Sequence, residues 1–270
     1  MKLQEGLQMK LALTGGLGYI GRNFLAKSPL DVIHVFDKHT RSFVEDIKDL
    51  SDCDGIIHLA AISGIRQCET DKHQAYIDNV LGTINMMTLA YDYDIPMVFA
   101  SSQAAKNPEN SFYATSKWIG EQEAIRLNRK GANIKILRFS NVYGGSNWKN
   151  KTSVVASFRR AKEEGRPIII NGDGSQRRDF LHVYDLCDAI MMAVKCKEVY
   201  SQPIDIGTGI STSILEVAKM FDHPYDFVNS KLVGVSNNFA DINAASEVLG
   251  FTAMRIISKG IIKKWMEYGQ

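Results

Sequence analysis

The most constraining stretch of this chain of 270 residues is Leu11-Ala12-Leu13-Thr14-Gly15-Gly16-Leu17-Gly18-Tyr19-Ile20-Gly21, an apolar run that meets a cluster of glycines and opens into an amphipathic segment. A short apolar run reads as a strand and the segment after it as a helix, so the glycines fall in the turn between them. Gly15, Gly18 and Gly21 permit a tight turn, close approach of a pyrophosphate to the backbone, and close packing of helix on strand, while the helix start supplies oriented N–H groups. A second apolar run, Val32-Ile33-His34-Val35-Phe36, ends in Asp37. That carboxylate stands about twenty residues beyond the first glycine, where it can accept hydrogen bonds from both hydroxyls of an adenosine ribose. The expected occupant is an adenine dinucleotide, and Asp37 favours NAD over NADP. Lys38 and Arg41 beside it leave room for a 2′-phosphate.

Through about residue 145, short apolar runs alternate with helix-length amphipathic segments, which predicts an α/β fold with a doubly wound parallel sheet. Strands are expected at 10–14, 32–37, 42–46, 55–60, 95–101 and 134–140, and helices at 18–27, 72–91 and 113–129. Only Lys38 to Arg41 separate Asp37 from the third of these strands, too few for a crossover helix, so that connection is expected to be a loop. Beyond Gly144 the rhythm breaks into a helix at 152–164, a strand at 168–170, a glycine-rich loop at 172–174 and a helix at 183–195, the mark of a smaller, mixed C-terminal lobe. A last helix is expected from Ile256 to Tyr268. Residues 1–8 read as a polar extension, 9–145 as the dinucleotide-binding domain, and 146–270 as mainly the second lobe with elements that return to the first.

The balance of 32 basic and 30 acidic residues gives a net charge of +2, so no overall field draws in nucleic acid or an anionic membrane, and neither is expected as a partner. Cys53, Cys68, Cys187 and Cys196 show no metal-binding spacing and read as buried free thiols of a reducing compartment; no metal is expected. No apolar run approaches the roughly 20 residues that span a bilayer, and no apolar signal core is present. The expected location is the cytoplasm.

Tyr113-Ala114-Thr115-Ser116-Lys117 places a phenol and an ammonium on one face of a helix. A free phenol, with a pKa of about 10, is a poor base near neutrality unless a cation stabilises its phenolate, a role open to Lys117 aided by a nicotinamide ring. Lowering the phenol by two to three units takes roughly 3 to 4 kcal/mol. An exposed helix pair is the plainer reading of such a spacing. The strand Met97-Val98-Phe99-Ala100 changes that, because it runs into Ser101-Ser102 at the carboxyl end of a central strand, where open sheets bind ligands.

With these residues in hand, the chain resembles, over nearly its whole length, the extended short-chain dehydrogenase/reductases of the NAD-dependent epimerase/dehydratase family that act on nucleotide sugars. The resemblance is carried in order by Thr14 to Gly21, Asp37, Asp46-Ile47, His58-Leu59-Ala60-Ala61, Asn79-Val80 with Gly82-Thr83, Ser101-Ser102, Tyr113 with Lys117, Leu137 to Gly144, Asn171 to Val183 and Ile206 to Gly209. It implies a Rossmann domain followed by a substrate lobe. It implies that Asp46 and Ile47 flank the adenine, that Ala60 and Ala61 lie along the cofactor, and that Tyr19, Ile20, Leu59 and Asn79 belong to the same site. Ser102, Tyr113 and Lys117 would be catalytic, the last two also touching the cofactor. Ser102, Asn141 and Arg178 would meet the substrate, with Arg178 on the diphosphate in preference to Arg177. His58 and His182 read as packing or orienting residues in preference to acids or bases. The helices at 72–91 and 113–129 would pair with their copies in a homodimer.

Departures narrow the chemistry. Gln103 and Ala104 stand where relatives that remove water carry an Asp-Glu pair, so dehydration is not expected. Lys149, Lys151, Arg159, Arg160 and Lys162 form a basic stretch that could contribute diphosphate contacts, but a helix face rich in basic residues is usually just solvated, and none of them is assigned to the site. The first reading is epimerisation of a nucleotide sugar, most simply at C4 through a transient keto sugar. The alternative is an NAD(P)H-dependent reductase of a nucleotide-linked 4-keto-6-deoxy sugar, and a third is a dinucleotide-sensing protein without catalysis.

Overall fold

Strand β1 (Leu11–Thr14) is buried along its whole length and runs through the glycine turn into helix α1 (Tyr19–Lys27), as the sequence predicts. The computed structural model describes residues 9–28, 32–38, 44, 47–148, 153–229 and 239–269. After α1 come β2 (Val32–Phe36), β3 (Gly55–His58), α2 (Ile65–Thr70), α3 (Lys72–Tyr76), a wide π turn (Ile77–Leu81), α4 (Gly82–Asp92), β4 (Met97–Ser102), α5 (Phe112–Asn128) and β5 (Ile134–Phe139). The remainder carries β6 (Asn141–Tyr143), α6 (Val154–Glu163), β7 (Ile168–Asn171), β8 (Arg177–His182), α7 (Val183–Lys195), β9 (Ile204–Ile206), β10 (Ser211–Ser213), α8 (Ile214–Met220), β11 (Tyr225–Val228), α9 (Asn243–Leu249) and α10 (Lys259–Tyr268).

Six strands form the central sheet in the order β2-β1-β3-β4-β5-β9. β1 runs parallel to both β2 and β3, and β3 parallel to β4. The chain therefore winds outward in both directions from β1, and the carboxyl ends of β1 and β3 flank the switch point where such sheets take ligands. Beneath it, Ala12, Ile56, Phe99 and Ile136 of four adjacent strands pack with Met86, Met87 and Ala90 of α4 and Ala124 and Leu127 of α5, all buried.

Several elements differ from the sequence reading. The strand expected at 42–46 lies outside the described residues apart from Val44, which sits in a turn and is buried in the core. Among the described residues, the next strand after β2 is β3. The continuous helix expected over 72–91 starts at Asp71, whose carboxylate caps Gln74 N at 2.9 Å, but the π turn interrupts it. That turn accommodates one extra residue and holds Asn79 fully inside. Helix α2 is only six residues long, too short for its period to stand out in sequence. The last helix begins at Lys259, not Ile256, because Ser258 Oγ accepts from Ile261 N at 3.3 Å and caps it there.

The chain divides into two compact units, one comprising the described residues through Leu137 with Ala193–Pro203, the other Arg138–Met192 with the described residues from Ile204 onward. In the first unit, Asn133 Nδ2 and Lys135 Nζ both donate to Cys196 O, at 3.5 and 3.2 Å, which fixes the returning segment. In the second, β8 lies between antiparallel β10 and parallel β6, and β7 pairs with β11. There Trp265 of α10 is fully buried and donates to Gly145 O at 2.9 Å. Arg159 is no solvated cation: its guanidinium lies 4.3 and 4.5 Å from the rings of Trp148 and Trp265 and donates to Trp265 O. Lys149 and Lys151 lie outside the described residues. All four cysteines are free, but Cys196 is only half-buried. No helix among the described residues is long and apolar enough to cross a membrane.

Candidate active site

At Gly15 and Gly21 of the glycine turn, backbone contacts leave no space for a side chain. Gly15 has φ +69°, its N–H donates to Phe36 O at 2.8 Å, and a Cβ there would stand 2.7 Å from Ala60 N. A Cβ on Gly21 would stand 2.4 Å from Gly15 O. Gly18 differs, since a Cβ there would meet only Gly15 O, at 3.1 Å. Helix α1 starts at Tyr19 and Ile20 with no side-chain cap and no acid in its first turn, which suits an incoming anion. Asp37 follows β2, is buried, and accepts from Leu17 N at 3.0 Å, so the acid expected to bind the ribose also holds the glycine loop. Across the turn, Leu59 N donates to Thr14 O at 3.1 Å and Ala60 N to Thr14 Oγ1 at 3.3 Å, and both residues, with Ala61, are half-buried at the end of β3. The open turn, the uncapped helix start and the buried acid together fit a dinucleotide.

Other residues assigned to this site stand behind it. Asn79 accepts from Ile62 N at 2.7 Å and donates to Ile62 O and Ser116 Oγ, each at 3.1 Å, bracing the segment after Ala61. Ile47 is buried in the core, and Asp46 lies outside the described residues. His58 bonds Thr14 Oγ1 through Nδ1 (2.7 Å) and Thr83 Oγ1 through Nε2 (3.0 Å). Burial and then the Lys117 charge push its pKa down to about 3, so the ring is neutral and serves to orient its neighbours.

Ser102 ends β4, accepts from Ala104 N at 3.2 Å and is hydrogen-bonded to the Tyr113 phenol. Ser111 caps α5 by accepting from Ala114 N at 3.1 Å, which fixes where Tyr113 emerges. Lys117 is almost fully buried, donates from Nζ to Ala100 O at 2.8 Å and lies 5.2 Å from the Phe99 ring centre. Burial pulls its pKa down to about 8, opposed by Cys68 and Glu121, which leaves the amine mostly charged at neutral pH. Burial raises the Tyr113 pKa, the Ser102 bond opposes the rise, and Cys68 adds to it. The lowered phenol expected from the sequence is thus not reached by the protein's own groups. Gln103 and Ala104 form a tight 3-10 turn after Ser102, with no carboxylate at either position.

In the second unit, exposed Asn141 opens β6 beside Phe180 of β8. Arg177 is committed locally, through Nε to Ser211 Oγ at 3.1 Å and an ion pair with Glu216 at 3.4 Å. Arg178 is half-buried and donates to Arg177 O at 2.8 Å. Fully buried Asp179 accepts from Thr208 N, Thr208 Oγ1, Gly209 N and Ala240 N, which ties the Gly207–Gly209 turn to β8. His182 accepts from Tyr184 N at 3.2 Å and meets the Tyr143 ring edge-on, in the orienting role expected of it.

The NAD dependent epimerase/dehydratase family matches residues 11–207. The chain belongs to this family. Its members are NAD-dependent enzymes, in agreement with the glycine turn and Asp37. A putative UDP-glucose 4-epimerase of Methanocaldococcus jannaschii is 31% identical over 95% of this chain and 98% of its own length. A dTDP-4-dehydro-6-deoxy-D-allose reductase of Streptomyces sp is 27% identical over 88% of this chain and 90% of its own. Among solved structures, MoeE5 in complex with UDP-glucuronic acid and NAD superposes with a TM-score of 0.83 at 26% identity, covering 96% of this chain and 98% of that one.

Within this family member, two groups beside Lys117 escaped the sequence reading. Glu121 had a usable signal, an acid one helical turn beyond the lysine. Cys68 had none, because only the tertiary fold brings α2 there. His34, Asp52 and Cys53 also converge, with ligand atoms within 4.8 Å of one another. Burial and the aspartates at 49, 52 and 54 push the Cys53 thiol up to about 12, against the thiolate a metal requires, and His34 and Asp52 pair at 2.9 Å in solvent.

Proposed function

We propose that the chain is a nucleotide-sugar epimerase that inverts C4 through a transient keto sugar and recycles NAD. The observation that carries this reading is Tyr113, paired with Ser102 at the end of β4 and standing on the helix face of buried, charged Lys117. Bound NAD supplies a hydride acceptor and, on return, a donor. Tyr113 takes the proton of the sugar hydroxyl, and Ser102 hydrogen-bonds the same oxygen as charge develops. Lys117 stabilises the phenolate against the rise that burial imposes. The keto sugar then turns and receives the hydride on its other face, with Tyr113 returning the proton. Arg178 is the group suited to the diphosphate, since a guanidinium bonds phosphate oxygens in pairs. The 4-epimerase relative supports the choice of carbon.

Denaturing protein purified without added cofactor is expected to release close to one NAD per chain. Empty protein that binds NADH or NADPH reversibly overturns recycling. It would support the second reading, reduction of a nucleotide-linked 4-keto-6-deoxy sugar, which the reductase relative and exposed Lys38 beside Asp37 favour.

A homodimer through the helices of residues 72–92 and α5 is part of the same proposal. Tyr76, Leu81, Tyr91 and Trp118 are 40–44% exposed there, apolar surface that a second copy would cover. Sedimentation equilibrium is expected to give twice the chain mass, and a monomer at micromolar concentration removes the dimer.

A further inference from the structure

Tyr113, Lys117 and Glu121 recur one helical turn apart on α5, and each reaches one of three consecutive residues of β4. Tyr113 meets the Ser102 hydroxyl, Lys117 Nζ the Ala100 carbonyl at 2.8 Å, and Glu121 Oε1 accepts from Ser101 Oγ at 2.6 Å. Glu121 is completely buried. A carboxylate in the interior is costly unless hydrogen bonds and an opposite charge compensate it, and the ammonium of Lys117 is one turn away. We propose that Glu121 is a positioning residue, whose buried carboxylate clasps Ser101 to set the register of α5 against β4 and holds the Lys117 amine charged.

This rests on the reading of Ser102, Tyr113 and Lys117 as the acid–base set. Among the described residues, the titratable groups that interact with Lys117 are Glu121 on α5, Cys68 on α2 and His58 on β3; Tyr113 lies one turn before it on α5, and the Ala100 carbonyl and Phe99 ring of β4 also touch the amine. Cys68 and then Glu121 oppose the fall that burial imposes on the Lys117 pKa, burial keeps the His58 ring neutral, and Glu121 is the carboxyl group among them. With Lys117 at about 8, only a narrow margin separates the charged amine from neutrality.

Glu121→Gln keeps an oxygen for Ser101 and removes the charge. In full-length protein labelled with 13C at lysine Cε, the Lys117 resonance is identified by its loss in Lys117→Met. Its titration midpoint is expected about one pH unit lower in Glu121→Gln than in the wild type, and the alkaline limb of UDP-glucose turnover is expected to move with it. An unmoved midpoint overturns the proposal. Glu121→Asp retains the charge on an arm too short for Ser101, so the midpoint is expected to stay near that of the wild type while kcat falls about tenfold. A midpoint as low as that of the Gln variant, or a wild-type kcat, also overturns it, and this arm stands if Glu121→Gln does not fold. Turnover that survives Tyr113→Phe removes the underlying acid–base reading instead, whatever the Lys117 midpoint does.

Discussion

Tyr113→Phe is expected to lower nucleotide-sugar turnover by about 10²–10⁴-fold while NAD affinity and thermal stability stay close to those of the wild type. The substitution deletes one oxygen. The ring, the Ser111 cap of α5 and the contacts of Lys117 and Glu121 with β4 all remain. His58 is not placed to take over as base, since both its ring nitrogens are engaged by Thr14 and Thr83 and its pKa is held at about 3. Lys117 is engaged with Ala100 O and is needed as a cation. That need sets the sign of the alkaline limb: activity requires protonated Lys117, so the wild-type rate is expected to fall as pH rises through about 8. Isothermal titration with NAD and a steady-state pH profile test both parts. Wild-type turnover in Tyr113→Phe would move the proton transfer to another group.

Local chemistry made the first part of the fold legible. The turn after β1, the acid after β2 and the Ser-to-α5 sequence are each written in residues close along the chain, where period and turn preference act directly. Arg159 could not be read this way. It sits in a basic stretch, yet its partner Trp265 is more than a hundred residues away, and only the tertiary fold brings the two rings around it. The π turn at Asn79 was equally hidden, because one extra residue in a helix leaves the apolar period nearly intact. The site shows the same division. Spacing shows that Tyr113 and Lys117 share a face, but burial decides which way their pKa values move, and burial belongs to the packed structure. Desolvation therefore raises the phenol where sequence spacing alone suggests a lowered one.

The other large effect is expected from a single methyl group placed at two glycines of the same turn. In Gly21→Ala the new Cβ falls 2.4 Å from Gly15 O and 2.6 Å from Gly16 Cα, backbone atoms that cannot rotate aside. Gly15 is itself held by Phe36 O at 2.8 Å, so the strain must move α1. Overpacking of this kind costs about 1–3 kcal/mol, and the displaced helix start no longer presents its N–H groups to a pyrophosphate. Melting temperature and NAD affinity are expected to fall together. In Gly18→Ala the φ of −72° and ψ of 176° suit any residue and the Cβ meets only Gly15 O, at 3.1 Å. Stability there is expected to hold while NAD binding weakens, because the methyl group projects where the phosphates must approach. Thermal melts with and without NAD separate the two cases. Undiminished NAD affinity in Gly21→Ala would show that α1 can shift without losing the phosphates, and a shared fall in the melting temperature of both variants would make Gly18 a packing residue too.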